Sequence, residues 1–302
     1  MKNSAKKIVK FNGGLGNQMF QYAFACALSN KFGAEVLFDF SFFEDVKFHK
    51  DVTQRVFELD VFNLECKSIT KEDLVKVKRP DFDSKLKRTL AKRLPKLFGI
   101  NYFREKNNFC FEKKLLDSPD YYYYDGYFQN EEYFKHLRPE LLKKFTLKVQ
   151  QYEKNQKILK KIQTTNSISI HIRRGDYVDL KCASKFHGVC SLGYYQSAVD
   201  YLSKRVVAPH FFVFSDDIEW VMENLEIEHP SVFVDFNSDK GWLDFNLMKN
   251  CKHNIIANSS FSWWSAWLNE NKDKIIIAPN KWFAECSGLD SKSILPENWI
   301  KI

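Results

Sequence analysis

The sequence lacks the run of about 20 apolar residues that a helix needs to cross a lipid bilayer. It also lacks the hydrophobic core of a secretion signal, because the basic start Met1-Lys-Asn-Ser-Ala-Lys-Lys leads directly into a short strand at Ile8–Phe11. Apolar residues make up 44% and charged residues 28% of the chain, as in ordinary folded proteins. We therefore expect a cytoplasmic globular protein, and the length of 302 residues predicts two domains.

The seven cysteines show neither the paired spacing of a zinc site nor the even count of a disulfide framework. Cys182 and Cys190 share one loop and could pair there. Free thiols in a reducing cytoplasm are nevertheless the favoured interpretation. The cysteine pattern therefore argues against a secreted, disulfide-stabilised domain and against a structural zinc site.

The sequence also lacks the acidic motif of metal-dependent sugar-nucleotide enzymes, an Asp-x-Asp placed directly after an apolar strand. Its only such triplet, Asp81-Phe-Asp83, follows Pro80 inside a basic segment, and we interpret it as chance. A bound diphosphate would then be neutralised by arginine, hydroxyl groups and a helix dipole, with no metal ion.

The glycine-rich segment Asn12-Gly-Gly-Leu-Gly-Asn-Gln follows the first strand, but it matches neither the dinucleotide fingerprint nor the Walker A loop. Gly14 and Gly16 would let the backbone approach a sugar or a phosphate, with Asn17 and Gln18 as polar contacts. A tight turn beside a neighbouring domain is the alternative. The segment by itself does not decide between the two.

The net charge of +8 at pH 7 comes from one segment. Residues Lys76–Lys106 contain eleven Lys or Arg and three Asp or Glu, so this segment alone carries +8 and the rest of the chain sums to zero. Residues Ser84–Phe98 have the pattern of a basic amphipathic helix, kinked or ended near Pro95. Such a helix can make peripheral contact with the anionic inner face of a membrane, although a solvated surface helix is favoured. Nucleic acid is not expected as a partner, because the charge is one patch without interleaved aromatic residues.

Strands and helices alternate regularly in the second half of the chain, which predicts right-handed βαβ units and a parallel sheet. The first half opens in the same way, with a strand, a helix from near Asn17 to Gly33 and a second strand, and a later helix is predicted at Glu131–Lys144. We place the domain boundary in Lys148–Thr165, where Gln, Lys and Asn dominate. The other predicted strands are Glu35–Phe38, Ile168–Ile172, His210–Phe214, Val232–Phe236, Asn254–Ala257 and Ile275–Ala278, and the other predicted helices are Leu192–Val206, Asp217–Leu225, Trp242–Cys251 and Phe261–Asn269.

The octet His171-Ile-Arg-Arg-Gly-Asp-Tyr-Val is the most informative stretch of the chain. Isoleucines alternate with polar residues over Ser167–Ile172, so Arg173 and Arg174 lie where a strand ends and a loop begins. In α/β folds, ligands bind outside the carboxyl ends of the strands. Two adjacent guanidiniums there suit a diphosphate, because each is permanently charged and grips oxygens in a bidentate fork. Two exposed arginines with paired carboxylates are the alternative.

A second motif, Asn258-Ser-Ser-Phe-Ser-Trp-Trp-Ser-Ala-Trp, directly follows the predicted strand at Asn254–Ala257. Asn and Ser are good N-cap residues, and a helix N-terminus offers unpaired N–H groups and the positive end of a dipole. The hydroxyls of Ser259 and Ser260 beside those amides would cradle a phosphate, with simple capping as the alternative. The tryptophans are interpreted as core: Trp263, Trp264 and Trp267.

The triplet Ser215-Asp-Asp follows the predicted strand at His210–Phe214. Its spacing is typical of a helix start, with Ser215 as the N-cap and two acids in the first turn. If the triplet has a further role, a carboxylate of Asp216 or Asp217 would accept hydrogen bonds from a guanine edge.

Several of these stretches together resemble the bacterial α-1,2-fucosyltransferases. They are Gly13-Gly-Leu-Gly-Asn-Gln-Met-Phe-Gln-Tyr-Ala, Gly126-Tyr-Phe-Gln, His171-Ile-Arg-Arg-Gly-Asp and Asn258-Ser-Ser-Phe-Ser-Trp-Trp, and the resemblance runs from about Ile8 to the final Trp299-Ile-Lys-Ile. It implies an α/β fold of the GT-B type, in which two Rossmann-like domains with parallel sheets face a cleft. Residues 1–150 would form the acceptor-side domain, with the basic insertion at 76–106, and residues 151–302 the domain that binds GDP-fucose.

The resemblance also implies an inverting, metal-independent transfer of L-fucose to the 2-hydroxyl of a terminal galactose. GDP-fucose would be a co-substrate without any cofactor, and the acceptor would be a galactose-terminated oligosaccharide or glycolipid. Asp176 is the candidate general base, because a carboxylate next to the diphosphate would be near the reacting carbon; orientation of Arg173 or Arg174 is the alternative role. Residues 181–190 would shape the acceptor site. Arg173 and Arg174 would be catalytic, the donor would contact His171, Arg173, Arg174, Asp216, Asp217, Asn258, Ser259 and Ser260, and Gly14, Gly16, Asn17 and Gln18 would line the cleft.

Two other functions compete with this one. The first is another inverting GT-B glycosyltransferase with a different linkage or donor sugar. Comparing GDP with UDP as competitors of the donor begins to distinguish this function from fucose transfer. The second is a non-catalytic protein that binds nucleic acid or anionic surfaces through the basic patch. That second function predicts steeply salt-dependent binding and no effect of Arg174→Ala. It is disfavoured because the charge lies away from the motifs.

Overall fold

The computed structural model describes residues 5–44, 55–77, 101–106, 109–148, 152–175, 188–237, 240–283 and 293–302. These residues form two compact units, which divide between Phe145 and Thr146. Each unit is built on its own parallel sheet with helices packed against it, so the predicted α/β fold class with two parallel-sheet units is confirmed. No helix within the described ranges is long and apolar enough to span a bilayer.

The N-terminal unit has a four-stranded sheet, formed by β1 at Lys6–Lys10, β2 at Glu35–Asp39, β3 at Tyr102–Arg104 and β4 at Tyr123–Asp125. The strands lie in the order β2-β1-β4-β3, and each neighbouring pair is parallel. All four strands therefore end at one edge of the sheet. The helices are α1 at Leu15–Phe32, α2 at Ser41–Glu44, α3 at Lys71–Val75, α4 at Lys114–Asp117 and α5 at Arg138–Lys144, with 3₁₀ turns at Leu59–Val61, Glu131–Tyr133 and Lys135–Leu137.

Helix α1 lies in the interior of the N-terminal unit. Every residue from 18 to 25 is buried, and a helix that is buried on all sides is typical of a core element. Its aromatic rings pack on the segment that follows β4: Phe24 stacks on Phe128 with the ring centroids 3.9 Å apart. This packing fixes the start of α1 at the edge where β1 ends.

The C-terminal unit has a six-stranded sheet, formed by β5 at Asn166–Ile172, β6 at Pro209–Ser215, β7 at Ser231–Val234, β8 at His253–Ile255, β9 at Ile276–Ala278 and β10 at Ile300–Lys301. The order is β7-β6-β5-β8-β9-β10, and each neighbouring pair is parallel. This is the strand order of a Rossmann sheet. From β5 the chain adds β6 and β7 on one side of the sheet, and it then adds β8, β9 and β10 on the other side, so the strand order reverses between β5 and β8. The helices are α6 at Glu153–Thr164, α7 at Leu192–Ser203, α8 at Ile218–Asn224, α9 at Gly241–Lys249 and α10 at Ser260–Trp267.

Apolar residues of the C-terminal sheet are buried on both faces, as parallel sheets require. Ile168 and Ile170 of β5 face one hydrophobic cluster, which includes Leu202 of α7. Phe212 and Phe214 of β6 belong to a second cluster on α6 and α9. The core interpretation of the tryptophans is confirmed, with exposures of 0%, 0% and 5% for Trp263, Trp264 and Trp267.

The domain boundary expected in Lys148–Thr165 stays a prediction, and most of that segment is helix α6. Ile158, Leu159 and Ile162 recur at helical spacing, and they pack on the cluster that contains Phe212. The abundance of Lys, Gln and Asn in this segment describes the exposed face of an amphipathic helix.

The single helix predicted at Glu131–Lys144 is found only over its second half, because the chain forms two 3₁₀ turns before α5. Pro139 lies in the first turn of α5, where its missing N–H costs nothing. A longer helix would place that proline inside, where it has no hydrogen to donate and clashes with the preceding turn. Three strands of two or three residues were absent from the predicted strands, because so few residues show no periodicity: β3, β4 and β10.

Candidate active site

Three segments singled out in the sequence meet at one edge of the C-terminal sheet. Arg173 and Arg174 follow β5, Asp216 and Asp217 follow β6, and Ser259 lies just after β8. In the sheet β5 lies between β6 and β8, and neighbouring strands are about 4.8 Å apart. The strand order reverses between β5 and β8, which is where open α/β sheets bind their ligands. The predicted positions of these side chains at strand ends thus converge on one place.

Each arginine pairs with its own aspartate. Arg173 Nη1 lies 3.1 Å from Asp216 Oδ2, and Arg174 Nε lies 3.2 Å from Asp217 Oδ2. Asp216 also accepts the backbone N–H of Arg174 through Oδ1, at 2.8 Å. The Arg174 guanidinium lies over the ring of Trp220, with Cζ 3.8 Å from the ring centroid. The four charged side chains keep between 23% and 36% of their surface exposed, so the guanidiniums are both fixed in place and accessible to a ligand.

Gly175 explains how the Asp216 carboxyl reaches the arginine loop. A Cβ at position 175 would lie 3.0 Å from Asp216 Oδ2 and 3.2 Å from its Cγ. Such contacts are tighter than a packed side chain normally accepts, so a larger residue here would push the carboxyl away. The small size of Gly175 therefore allows the ion pair between Arg173 and Asp216 to form.

His171 is a buried neutral ring on β5, 5% exposed. Burial lowers the pKa of His171 well below its ordinary value; the Asp216 carboxylate opposes this shift and the Arg173 charge adds to it. The ring lies 5.4 Å from the Phe261 ring of α10, measured between centroids. Its Nδ1 is buried and has no hydrogen-bond partner among the described residues. His171 is therefore placed to offer one donor and one acceptor, and it adds no positive charge.

The N-terminus of α10 is open. Ser259 is its N-cap, but the Ser259 side chain makes no capping hydrogen bond. Ser260 is the first residue of the helix and is partly exposed. Unpaired N–H groups and the helix dipole make such an end a ready anion site, and the two hydroxyls add donors beside it.

The side chain of Asn258 makes hydrogen bonds within the protein. Its Nδ2 donates to the carbonyl oxygens of Gly188 and Trp282, each at 3.1 Å, and its Oδ1 accepts from Cys190 Sγ at 3.4 Å. The side chain is 2% exposed and joins two loops next to α10. A contact of Asn258 with a donor stays a prediction, whereas its bridging of the loops is what the structure shows.

A partly buried acid near this edge was missed by the sequence analysis. Asp244 lies near the start of α9, which follows β7, and its Oδ1 accepts from Asn237 Nδ2 at 2.7 Å. Burial raises the pKa of Asp244 to about 7, with the Asn237 hydrogen bond opposing the shift. Asn237 in turn exchanges two hydrogen bonds with Asn155 of α6, both at 2.9 Å. A lone acid within the apolar stretch Trp242–Cys251 was the signal that could have identified it.

The glycine-rich segment lies in the N-terminal unit, at the start of α1. Gly14 is the N-cap of α1, while Gly16, Asn17 and Gln18 lie in its first turn. The expected loop is therefore mostly helix, and α1 begins two residues before the predicted start. The reason is a cap from a distant part of the chain, because Glu58 Oε2 accepts the Leu15 N–H at 2.9 Å.

Both polar atoms of the Gln18 side chain make hydrogen bonds in the same region. Its Nε2 donates to the carbonyl oxygens of Gly13 and Val56, at 2.9 and 2.8 Å, and its Oε1 accepts the Glu58 N–H at 2.9 Å. Gln18 is completely buried and acts as a bridge within the unit. Asn17 is partly exposed, and its Oδ1 accepts from Gln129 Nε2 at 2.7 Å.

Four expectations fall on residues outside the described ranges: the candidate base Asp176, most of the basic segment 76–106, most of the loop 181–190, and Cys182. Cys190, which is described, carries a free thiol. Within the described ranges, no group of three or more His, Cys, Asp or Glu side chains is arranged to hold a metal ion.

Parallel-sheet units with paired arginines at the strand-order reversal are compatible with the expected glycosyltransferase, and comparison with a known family shows this class. The sequence profile of Glycosyl transferase family 11 matches residues 2–302. The chain therefore belongs to glycosyl transferase family 11.

Several curated proteins are similar to this chain. The O-antigen biosynthesis glycosyltransferase WbnK of Escherichia coli is 36% identical, covering 96% of this chain and 98% of that protein. An alpha-1,2-colitosyltransferase of Escherichia coli is 35% identical, covering 98% of each. Galactoside alpha-(1,2)-fucosyltransferase 2 of Pongo pygmaeus is 32% identical, covering 60% of this chain and 53% of that protein. Among solved structures, fucosyltransferase NodZ from Bradyrhizobium aligns over 87% of this chain and 92% of its own, with 12% identity and a TM-score of 0.44.

Proposed function

We propose that this enzyme transfers L-fucose from GDP-fucose to the 2-hydroxyl of a terminal galactose, with inversion and without a metal ion. The observation that best supports a nucleotide-sugar donor is the position of Arg173 and Arg174 beside the strand-order reversal, one strand away from the open N-terminus of α10. A cationic pair next to a helix N-terminus suits a diphosphate. The choice of sugar and linkage follows the relatives, which include a galactoside alpha-(1,2)-fucosyltransferase.

The chemistry of the transfer fits these groups. In an inverting reaction the acceptor oxygen attacks the anomeric carbon while GDP departs, so negative charge grows on the leaving diphosphate. Arg173, Arg174, the first N–H groups of α10 and the hydroxyls of Ser259 and Ser260 would stabilise that charge from fixed positions. Removal of one preorganised donor of this kind costs about 3 kcal/mol in comparable sites.

The two aspartates have a positioning role in this proposal. Asp216 and Asp217 each engage one guanidinium, so they orient the arginines before the donor binds. Among the described residues the terminal nitrogens of Arg174 make no hydrogen bond, because the contact with Asp217 uses Nε. The fork of Arg174 is therefore oriented and open to a diphosphate. A hydrogen bond from a guanine edge to either carboxylate stays a prediction.

Asp176 remains the proposed general base, because only Gly175 separates it in the sequence from the arginine pair that would hold the diphosphate. General-base catalysis of this kind contributes about 10²–10⁴-fold. Substantial activity in Asp176→Asn, or a pH–rate profile without an acidic limb, would remove this role. Acceptor binding is assigned to the N-terminal unit and donor binding to the C-terminal unit.

A second donor competes with fucose, since an alpha-1,2-colitosyltransferase matches this chain over 98% of its length. Colitose is L-fucose without the 3-hydroxyl. A site that hydrogen-bonds a sugar hydroxyl rejects the analogue that lacks it by about 10⁴-fold or more, whereas a site without such a bond accepts both. Comparison of kcat/KM for GDP-fucose and GDP-colitose therefore decides between the two donors.

The deciding experiment is mass spectrometry of lactose incubated with the protein and GDP-fucose in excess EDTA. A product one deoxyhexose heavier, which an α-1,2-specific fucosidase removes, would support donor, linkage and metal independence together. Product that forms only after a divalent cation is added would overturn the metal-free part of the proposal.

Two further results would redirect the assignment. Slow GDP release from GDP-fucose in buffer, without a lactose product, would keep the donor and require other galactosides as acceptors. Neither product nor GDP release, together with turnover of GDP-colitose, would replace fucose by colitose.

A further inference from the structure

The N-terminal unit contains a carboxyl group that the proposed mechanism does not use. Glu105 directly follows β3, and its Oε2 accepts the backbone N–H groups of Tyr127 and Phe128, at 2.6 and 3.0 Å. Its Oε1 is buried and has no hydrogen-bond partner among the described residues. A Cβ at Gly126 would lie 2.4 Å from the Cβ of Glu105, so any side chain at position 126 would displace Glu105. Glu105 thus holds residues 126–129, which we call the clamp segment.

The clamp segment lies along one face of α1. The α1 residues that it contacts are spaced at i, i+4 and i+7, which places them on one side of a helix. Two of the contacts are hydrogen bonds and the third is a ring stack, so both the backbone and the side chains of the segment are held. The contacts are Gln129 Nε2 to Asn17 Oδ1 at 2.7 Å, Gln21 Nε2 to the Gly126 carbonyl oxygen at 3.0 Å, and the Phe24 ring on the Phe128 ring with centroids 3.9 Å apart.

The backbone of the clamp segment is strained. Phe128 has a φ of +53°, in the left-handed region that bulky residues rarely adopt. Such a conformation persists only where the surroundings enforce it. Glu105 holds this conformation through the two N–H groups, and the Phe24 ring holds it through its stack on the Phe128 ring. Without the Glu105 carboxyl, the segment would relax and the Gln129 side chain would move with it.

We propose that Glu105 is a positioning residue for the transfer reaction, which it serves by holding the clamp segment so that Gln129 orients the Asn17 side chain. Asn17 Nδ2 makes no hydrogen bond among the described residues, so its N–H groups are free to bind a substrate oxygen. Because Gln129 donates to Oδ1, the amide of Asn17 is held in one of its two orientations. The inference rests on the proposed function, since Asn17 is one of the residues expected to contact a substrate.

The protonation of Glu105 gives the proposal a pH signature. Burial raises the pKa of Glu105 to about 7; the two N–H bonds oppose the shift, and the carboxylates of Glu112 and Asp125 add to it. Asp125 also accepts from the Tyr102 hydroxyl at 2.5 Å and lies 3.9 Å from Arg104 Nε. Hydrogen bonds to a carboxylate are stronger than those to a neutral carboxyl. The raised pKa means that the cost of burying the charge outweighs this gain. The segment is therefore held most tightly below about pH 4, and its hold weakens as the pH rises through 7.

The test compares Glu105→Gln and Glu105→Ala with the exposed control Glu132→Gln, using lactose and GDP-fucose. We expect Glu105→Ala to lower kcat/KM for the acceptor about tenfold or more, because small misplacements of substrate-positioning groups are costly. The affinity for GDP should be unchanged, since the arginine site lies in the other unit. Glu105→Gln should keep part of the activity and lose the pH dependence near 7 that the wild type shows. Glu132→Gln should behave as the wild type.

Hydrogen exchange supplies a second readout that needs no turnover. The amides of Tyr127 and Phe128 should exchange faster in Glu105→Ala, and peptides around Asn17 should lose protection with them. In a double-mutant cycle, the losses of Glu105→Ala and Asn17→Ala should be clearly less than additive, because both act through one contact. If Glu105→Ala does not fold, Gln129→Ala replaces it in the cycle.

Wild-type acceptor kcat/KM and pH profile in both Glu105 variants would overturn the inference, as would additive losses in the cycle. Failure of the proposed function has a different signature. In that case the wild type itself would transfer no sugar from GDP-fucose, while the exchange of the Tyr127 and Phe128 amides would still report whether Glu105 holds the segment.

Discussion

At the scale of single residues, the two adjacent arginines have different surroundings. Arg173 contacts Asp216 through a terminal nitrogen, whereas Arg174 contacts Asp217 through Nε and stacks on Trp220. Stacking and a bidentate fork both require a planar guanidinium, which lysine does not have. The charge of Arg174 and its shape can therefore be tested separately.

We expect Arg174→Ala to lower kcat about 10²–10³-fold, as the loss of one preorganised donor does in comparable sites. Arg174→Lys should fall between the wild type and Arg174→Ala, because it keeps the charge but loses the stack and the fork. Steady-state kinetics with GDP-fucose measures both. Arg205→Ala is the matched control, since Arg205 lies over the Tyr201 ring with Cζ 3.6 Å from its centroid, away from the site. Equal activity of Arg174→Ala and Arg205→Ala would contradict the assignment.

Asp244 predicts a pH effect on stability at the same scale. Its folded pKa of about 7 lies above the unfolded value of about 3.9, so the folded state holds more protons between those values. The contribution of Asp244 to stability is therefore present at low pH and is lost as the pH rises from about 4 through 7. Asp244→Asn, which keeps the acceptor for Asn237, should gain thermal stability relative to the wild type at pH 8 but not at pH 4.5.

Thermal melts of Asp244→Asn and of the wild type at both pH values measure this difference. Glu105, whose pKa is also raised to about 7, is present in both proteins and cancels from the comparison. Asp200→Asn, at an exposed position on α7, should leave the difference near zero. A constant offset at both pH values would show that Asp244 is not the titrating group.

At the scale of elements, two helices of the C-terminal unit start with serine and use it differently. Ser191 caps α7, with its Oγ accepting the Tyr194 N–H at 3.2 Å. Ser259 stands at the same position of α10 and makes no such bond. The Ser191 hydroxyl caps its helix, whereas the Ser259 hydroxyl makes no capping bond and lies at the predicted phosphate site.

The two serines should therefore separate stability from binding. Ser191→Ala should lower the free energy of unfolding by about 1 kcal/mol, the usual cost of a lost N-cap, and leave GDP affinity unchanged. Ser259→Ala should cost little stability and weaken GDP binding several-fold. Denaturant unfolding and calorimetric titration with GDP measure the two effects. The reverse pattern would show that Ser259 is an ordinary cap.

At the scale of the whole molecule, each parallel sheet brings its own functional candidates to the edge where its strands end. The C-terminal unit presents the arginine pair and the open start of α10, and the N-terminal unit presents Asn17 and the clamp segment. The proposed division assigns GDP-fucose to the first set and the acceptor to the second.

Hydrogen exchange with and without GDP tests that division. At a GDP concentration 100 times its Kd, binding stabilises the complex by about 2.7 kcal/mol, enough to slow exchange where ligand contacts form. We expect added protection in peptides that cover 171–175, 215–221 and 256–262. Strands β1 and β2 should be unaffected. Protection confined to the N-terminal unit would reverse the assignment of the two units.

Much of the fold and part of the site could be predicted from local patterns. Alternation of strands and helices predicts parallel sheets, because only crossover connections bring such strands side by side. Arg173 and Arg174 follow a readable strand, so their place at the carboxyl edge follows as well. The short strands β3, β4 and β10 were not predictable, since two or three residues show no periodicity. The two 3₁₀ turns before α5 were not predictable either, because the effect of Pro139 depends on its neighbours.

The sequence by itself determined the fold class, the family and the edge of the sheet at which the charged residues gather, because these depend on local periodicity and on motifs contiguous in the chain. The tertiary structure alone decided which partners those residues have. The pairing of Arg173 with Asp216 and the hold of Glu105 on Tyr127 join residues 43 and 22 positions apart. Such contacts depend on which strands become neighbours in the sheet and on where a glycine lets a carboxyl approach, and no local pattern in the chain encodes either.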